Sequence, residues 1–252
     1  MLPGMPGVIV RLDNGIGWLT LADPDRRNVL SAGIVDELIA GIDAAEADES
    51  VHAVVITGAG PAFCAGADLA DLLAATAGDT APVKRVYQGF LRVARCVLPT
   101  IAAVNGPAVG AGMNLALACD TRIVAETAWF ESRFQKIGLH PGGGHLWMLE
   151  KLVGPQTAAA MTLFGERLTA DRAVRAGLAL RSVPAADLAE HARKLAAAAA
   201  STDRELLKRT KSTLRRMITE PALTHDEAVR IEAEAQFWSL GLPATRKLLG
   251  KG

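Results

Sequence analysis

The sequence predicts an α/β fold. Apolar, strand-like runs alternate with amphipathic helical runs over its first half, and two of the strands end in glycine-rich turns that lead into helices. From Pro155 onward the pattern is almost purely helical. The elements follow in order. "VIVRL" and "IGWLTLA" flank "DNG" (Asp13 to Gly15), which reads as a β-hairpin. In "SAGIVDELIAGIDAAEAD", Ile34, Val35, Leu38, Ile39 and Ile42 fall at helical spacing, and Ser31 is placed to cap that helix. "VHAVVITG" is a short buried strand ended by Gly58, and "PAFCAGADLADLL" is a turn that enters a helix. Val83, Val86, Tyr87, Phe90, Leu91 and Val97 mark another helix. "TIAAVNG" is a strand again, followed by a glycine turn and a helix to about Ala118, and "TRIVAE" is a further strand. Thr169 and Gly177 bracket a short helix. The alanine-rich "AADLAEHARKLAAAAA" has strong helix propensity, and amphipathic helices continue through Trp238.

Bulk properties narrow the function. The chain has 252 residues, half of them apolar, which suits one compact domain with a helical appendage. With 27 basic and 27 acidic residues the formal charge is zero, so no broad basic face for nucleic acid is expected. The run "KRTK" (Lys208 to Lys211) reads as a solvated helix face. Cys64, Cys96 and Cys119 are odd in number and lack metal-site spacing, so neither a disulfide framework, a zinc site nor another metal is expected, and a reducing cytoplasm fits. The N-terminal "MLPGMPGVIVRLDNG" does not read as a signal peptide. No apolar run approaches the roughly 20 residues that span a bilayer.

Two segments share one logic. "AFCAGADL" (Ala62 to Leu69) follows the strand that ends at Gly58, and "GPAVGAGMNLA" (Gly106 to Ala116) follows the strand that ends near Asn105. Small residues at a strand's end let the backbone approach a ligand and then start a helix. The first amides of a helix have no internal partner and carry partial positive charge. Two such turns side by side can aim two N–H donors at one oxygen, as an oxyanion hole for an acyl group that becomes an enolate. Each turn alone is equally well read as a strand-to-helix turn whose glycines serve packing. Neither has dinucleotide spacing or a P-loop ending.

Taken together, these segments resemble the crotonase superfamily, the enoyl-CoA hydratase/isomerase family. "LADPDRRNVLS" is similar to its early CoA-contacting loop, "AFCAGADL" and "VNGPAVGAGMNLALACD" to its two oxyanion segments, and "KIGLHPGGG" to the stretch that closes its acyl pocket. The likeness runs over nearly the whole chain. It implies a ββα spiral core, residues 1–195, and a C-terminal helical oligomerisation region, residues 196–252, that builds a homotrimer or a dimer of trimers. It also implies an acyl-CoA thioester as partner, lyase-type chemistry in fatty acid metabolism and no cofactor apart from CoA as part of the substrate. By position, the oxyanion donors are the backbone amides of Ala67 and Ala111. Arg26, Ala65, Asp68 and Leu69 face the CoA nucleotide, and Lys247 or Lys251 either reaches a CoA phosphate or is simply solvent-exposed.

The chain departs from the family at two positions. Hydratases of the family resemble one another in using two glutamates, one just inside the second turn and one seven residues before the proline of the later loop. Here those positions hold Asn114 and, counting back from Pro141, Phe134. An amide does not titrate near neutral pH and a phenyl ring not at all. Each lost acid/base group costs about 10²–10⁴ in rate. Asn114 can orient a water or satisfy a backbone group, and Phe134 can pack against the acyl chain or the core. The nearby candidates for proton transfer are His140, His145 and Glu131, the last read as lying in a loop. Three readings stay open: an enzyme with a non-standard acid/base set, a different enolate chemistry such as decarboxylation or thioester hydrolysis, and a non-catalytic acyl-CoA carrier or regulator.

Overall fold

The computed structural model describes residues 7–220, 224–240, 242, 243 and 245. β1 (Gly7–Asp13) and β2 (Ile16–Ala22) form the expected antiparallel hairpin, turning through Asn14 and Gly15 at φ 50° and 78°. Asn-Gly tolerates that left-handed backbone, and the turn it makes matches the strand twist. α1 (Ala32–Ala47) buries Ile34, Val35, Leu38 and Ile42 as their spacing predicts, but Ser31 at its N-terminus makes no side-chain capping bond. Then come β3 (Ala53–Gly58), α2 (Leu69–Thr76), α3 (Ala81–Ala94), β4 (Thr100–Val104), β5 (Ala108–Val109), α4 (Ala111–Ala118), β6 (Thr121–Ala125) and β7 (Trp129–Glu131). The rest is α5 (His145–Leu163), β8 (Leu168–Thr169), α6 (Ala170–Arg175), β9 (Arg181–Val183), α7 (Leu188–Ala200), α8 (Arg204–Thr219) and α9 (His225–Leu240).

Six strands make one sheet in the order β1-β2-β3-β4-β6-β9, parallel except for the β1–β2 pair. β5, β7 and β8 make a small second sheet. β3 and β4 are buried on both faces, which is why they read as unbroken apolar runs rather than as alternation. Helices cover the sheet, with α1, α3 and α4 packed in a row and α7 lying against β2, β3, β4 and β6. The α/β class expected from the sequence is therefore found.

The structure corrects several expectations. The stretch after Pro155, expected to be almost purely helical, also holds two short strands, β8 and β9, and β9 extends the main sheet. α5 begins ten residues before Pro155 and bends where Gly154 adopts φ 73°. α7 runs unbroken across residues 195 and 196 and buries Leu188, Ala192 and Ala196. The "KRTK" run is not wholly a solvated face. Lys211 is buried, with its ammonium on the Leu98 carbonyl and the Asp120 carboxylate, and it pins α8 to the core. The three cysteines are buried and free. No described helix is long and apolar enough to cross a membrane.

Candidate active site

β3 and β4 are parallel neighbours, so the chain leaves both at the same edge of the sheet. Open α/β sheets gather their ligands at the carboxyl ends of their strands. The two glycine turns lie side by side at this edge. Val109 N–H donates to the Cys64 carbonyl at 3.0 Å, the amides of Phe63 and Cys64 both reach the Pro107 carbonyl at 3.1 Å, and Cys64 and Ala108 form a parallel bridge. Gly112 permits this approach. A Cβ there would stand 2.2 Å from the Cys64 carbonyl oxygen. Gly66, at φ 112°, lies against the other turn, with its Cβ position 3.0 Å from the Val109 oxygen and 3.8 Å from the Ala111 nitrogen.

Two asparagines brace the first turn. The buried Asn28 donates to the carbonyls of Ala59 and Ala62, at 2.9 and 2.8 Å, while its own oxygen accepts from Asp23 N–H at 2.9 Å. Asn105 donates to Gly60 and Ala62 and accepts from Gly58 N–H. No spacing or motif in the sequence marks either residue. Their amides engage the turn's carbonyls, whereas Ala67 N–H and Ala111 N–H find no acceptor among the described residues.

The residues expected near the CoA nucleotide border the first turn. Arg26 pairs with Asp68 and lies 3.9 Å from Asp23. Asp68 also caps α2 by accepting Ala70 N–H at 3.1 Å, and Leu69 stands exposed at the start of that helix. The hydrogen bond from Arg26 holds the Asp68 carboxyl below the usual carboxylate range. Ala65 N–H donates to the Arg27 carbonyl at 2.9 Å. Because the Arg26 side chain is half-exposed, Arg26→Ala is expected to change stability by less than about 1 kcal/mol. A urea titration checks this, and a larger loss would make the pair structural. Lys247 and Lys251 lie outside the described residues.

Behind the second turn is a buried polar chain. The Asn114 amide group donates to the Gly142 carbonyl at 3.1 Å, and its oxygen lies 2.6 Å from His145 Nδ1. His145 Nε2 lies 2.8 Å from Ser132 Oγ. Phe134 is half-buried and meets the imidazole edge-on, with ring centroids 5.0 Å apart. His145 opens α5, and its burial pushes the imidazole pKa down to about 4, so the ring is neutral at pH 7. Three of the candidates, Asn114, His145 and Phe134, thus meet. Ser132, which had no recognisable motif around it, joins them.

The other two candidates stand apart. Glu131 ends β7 rather than lying in a loop, and strand alternation turns its side chain away from that of Ser132. Burial raises the Glu131 pKa, but the hydrogen bond from Lys136 and the charges of Arg167, Lys136 and Arg133 outweigh it and hold the group below its ordinary value. A carboxylate held ionised among three cations does not shuttle protons at neutral pH. His140 is exposed, donates from Nδ1 to the adjacent Pro141 carbonyl at 2.7 Å, and makes no hydrogen bond to Asn114 or His145. Among the described residues no group of three or more His, Cys, Asp or Glu side chains is placed to hold a metal ion.

Many known proteins are similar to this chain. The Mycobacterium tuberculosis protein named "Probable enoyl-CoA hydratase echA14" is 49% identical over 241 residues, covering 94% of this chain and 93% of its own. The 2,3-dehydroadipyl-CoA hydratase of Escherichia coli is 38% identical over 215 residues, covering 84% and 82%. Among solved structures, an enoyl-CoA hydratase from Polaromonas sp. JS666 superposes with a TM-score of 0.89 at 28% identity, covering 97% of both chains. One from Bacillus anthracis gives 0.87 at 28% identity, covering 94% and 92%. The family profile described as Enoyl-CoA hydratase/isomerase matches residues 11–239, and with the fold and paired turns above it places this chain in the enoyl-CoA hydratase/isomerase family of the crotonase superfamily.

Proposed function

We propose that the chain binds an acyl-CoA thioester at the edge where β3 and β4 end, and that the amides of Ala67 and Ala111 both donate to the thioester oxygen. The observation that carries this reading is the pair of unpartnered amides on two turns bonded to each other. Arg26, Ala65, Asp68 and Leu69 border the CoA nucleotide, Phe134 meets the acyl chain, and CoA itself is the sole cofactor, brought in by the substrate. The names of the relatives point to hydration of an enoyl-CoA. Asn114 and Phe134 stand where the hydratases' glutamates would be, so water addition by the usual pair is slowed by roughly 10⁴–10⁸. Self-association as a trimer or dimer of trimers, in the cytoplasm, belongs to the same reading. Exposed Leu214 and Ile218 on α8 and Phe237 on α9 support it.

Calorimetric titration with an acyl-CoA and with its S-alkyl-CoA thioether, which lacks the oxygen, tests the core of this reading. Two net hydrogen bonds of about 1 kcal/mol each predict roughly 30-fold tighter binding of the thioester. Equal affinities would remove the oxyanion contact. With an enoyl-CoA supplied separately, loss of its absorbance through hydration is expected to stay near background.

A further inference from the structure

We infer that Ser132, His145 and Asn114 form a nucleophile, base and orienting residue, and that the protein cleaves acyl-CoA thioesters through an acyl-Ser132 intermediate. The inference rests on the acyl-CoA site proposed above.

The chain of bonds has a direction. The Gly142 carbonyl can only accept, so the atom of Asn114 that is 3.1 Å from it is the NH₂ group. That leaves the Asn114 oxygen facing His145 Nδ1 at 2.6 Å, where it accepts N–H. The proton is therefore on Nδ1, and the lone pair of Nε2 faces the Ser132 hydroxyl at 2.8 Å. A serine, histidine and amide or carboxylate in this order is the arrangement that activates hydroxyl and thiol nucleophiles on unrelated folds. The neutrality of the ring at pH 7 leaves Nε2 free to take the proton, and its low basicity makes acylation slow.

The position of Ser132 is also suited to the task. β5 and β7 pair in parallel, Val109 with Glu131, and Gly110 N–H donates to the Glu131 carbonyl. Ser132 is therefore opposite Gly110, next to the Ala111 amide that would hold the oxygen. The array occupies one of the two positions at which a hydratase glutamate is missing, and Phe134 occupies the other. Each of the three side chains is about 1% exposed, and the half-buried Phe134 ring covers His145.

In the reaction, Ser132 Oγ attacks the thioester carbon while its proton passes to His145 Nε2. The carbon–sulfur bond breaks, and the departing thiolate of CoA takes that proton. Water then attacks the ester carbon, giving one proton to Nε2. Ser132 recovers this proton as its bond to the acyl group breaks. Thioester and water become carboxylic acid and free CoA.

The test mixes the full-length protein with a saturated medium-chain acyl-CoA. Free CoA is measured by chromatography, and an acid-quenched sample is analysed by peptide mass spectrometry. The expected result is release of CoA together with an acyl mass on the peptide that contains Ser132. Ser132→Ala and His145→Gln each lower CoA release by roughly 10²–10⁴. Asn114→Leu lowers it tenfold or more at unchanged affinity for the S-alkyl-CoA thioether, and Asn114→Asp, which keeps an acceptor for Nδ1–H, restores it. Thioether binding by the unaltered protein with neither CoA release nor an acyl-serine overturns this inference alone. Absence of binding by both the acyl-CoA and its thioether overturns the acyl-CoA reading as well.

Discussion

Replacing Gly112 with alanine is expected to destabilise the protein by about 3 kcal/mol or more and to weaken the acyl-CoA binding proposed above. The added methyl would lie 2.2 Å from the Cys64 carbonyl oxygen and 2.7 Å from the Cys64 Cβ, both parts of a buried, hydrogen-bonded turn. Overpacking of this kind usually costs 1–3 kcal/mol, and more where the neighbour is backbone. α4 can relieve the clash only by withdrawing, which separates the Ala67 and Ala111 amides. Gly33→Ala supplies the contrast. Nothing lies within 4 Å of its Cβ position in α1, so that change is expected to be neutral or to stabilise by up to about 1 kcal/mol. Urea midpoints of the two variants decide the matter, and equal midpoints would mean that the turns do not touch.

Acid is expected to remove roughly 3 kcal/mol of stability between about pH 6.5 and pH 4, through His145. Its ordinary pKa is 6.5 and burial lowers it to about 4 in the folded chain. Between those values the unfolded chain binds the proton and the folded chain does not. Stability therefore rises with pH, is fully present above 6.5 and falls away as pH drops towards 4. The carboxylates with lowered values, such as Glu131 and Asp68, start from 4.5 and 3.8 and lose their contributions at lower pH still, so the upper part of the window belongs to His145. Urea unfolding at several pH values should show the slope, and His145→Gln should flatten it. An unchanged slope in that variant would place the titrating group elsewhere.

What could be read along the chain was local. The hairpin around Asn14 and Gly15, the helical faces and the strands entering the two glycine turns all show in periods of 2 or 3.6 and in the residues that turns require. β9 escaped because it is a three-residue edge strand with two exposed positions, too short to show alternation. Lys211 escaped because a charge run looks the same whether its ends face water or pair with a carboxylate from another element.

The family and the two glycine turns were determined by the sequence itself, because they depend on residue type at fixed spacing. Which histidine meets Asn114 was decided only by the tertiary structure. His140 and His145 are five residues apart and chemically alike, yet one lies at the surface and the other is buried 2.6 Å from an amide 31 residues away. Strand alternation then sends Ser132 towards that imidazole and Glu131 away from it. Periodicity constrains neighbours within one element. Contacts between elements depend on how α4, α5 and β7 pack, and a linear pattern does not encode that packing.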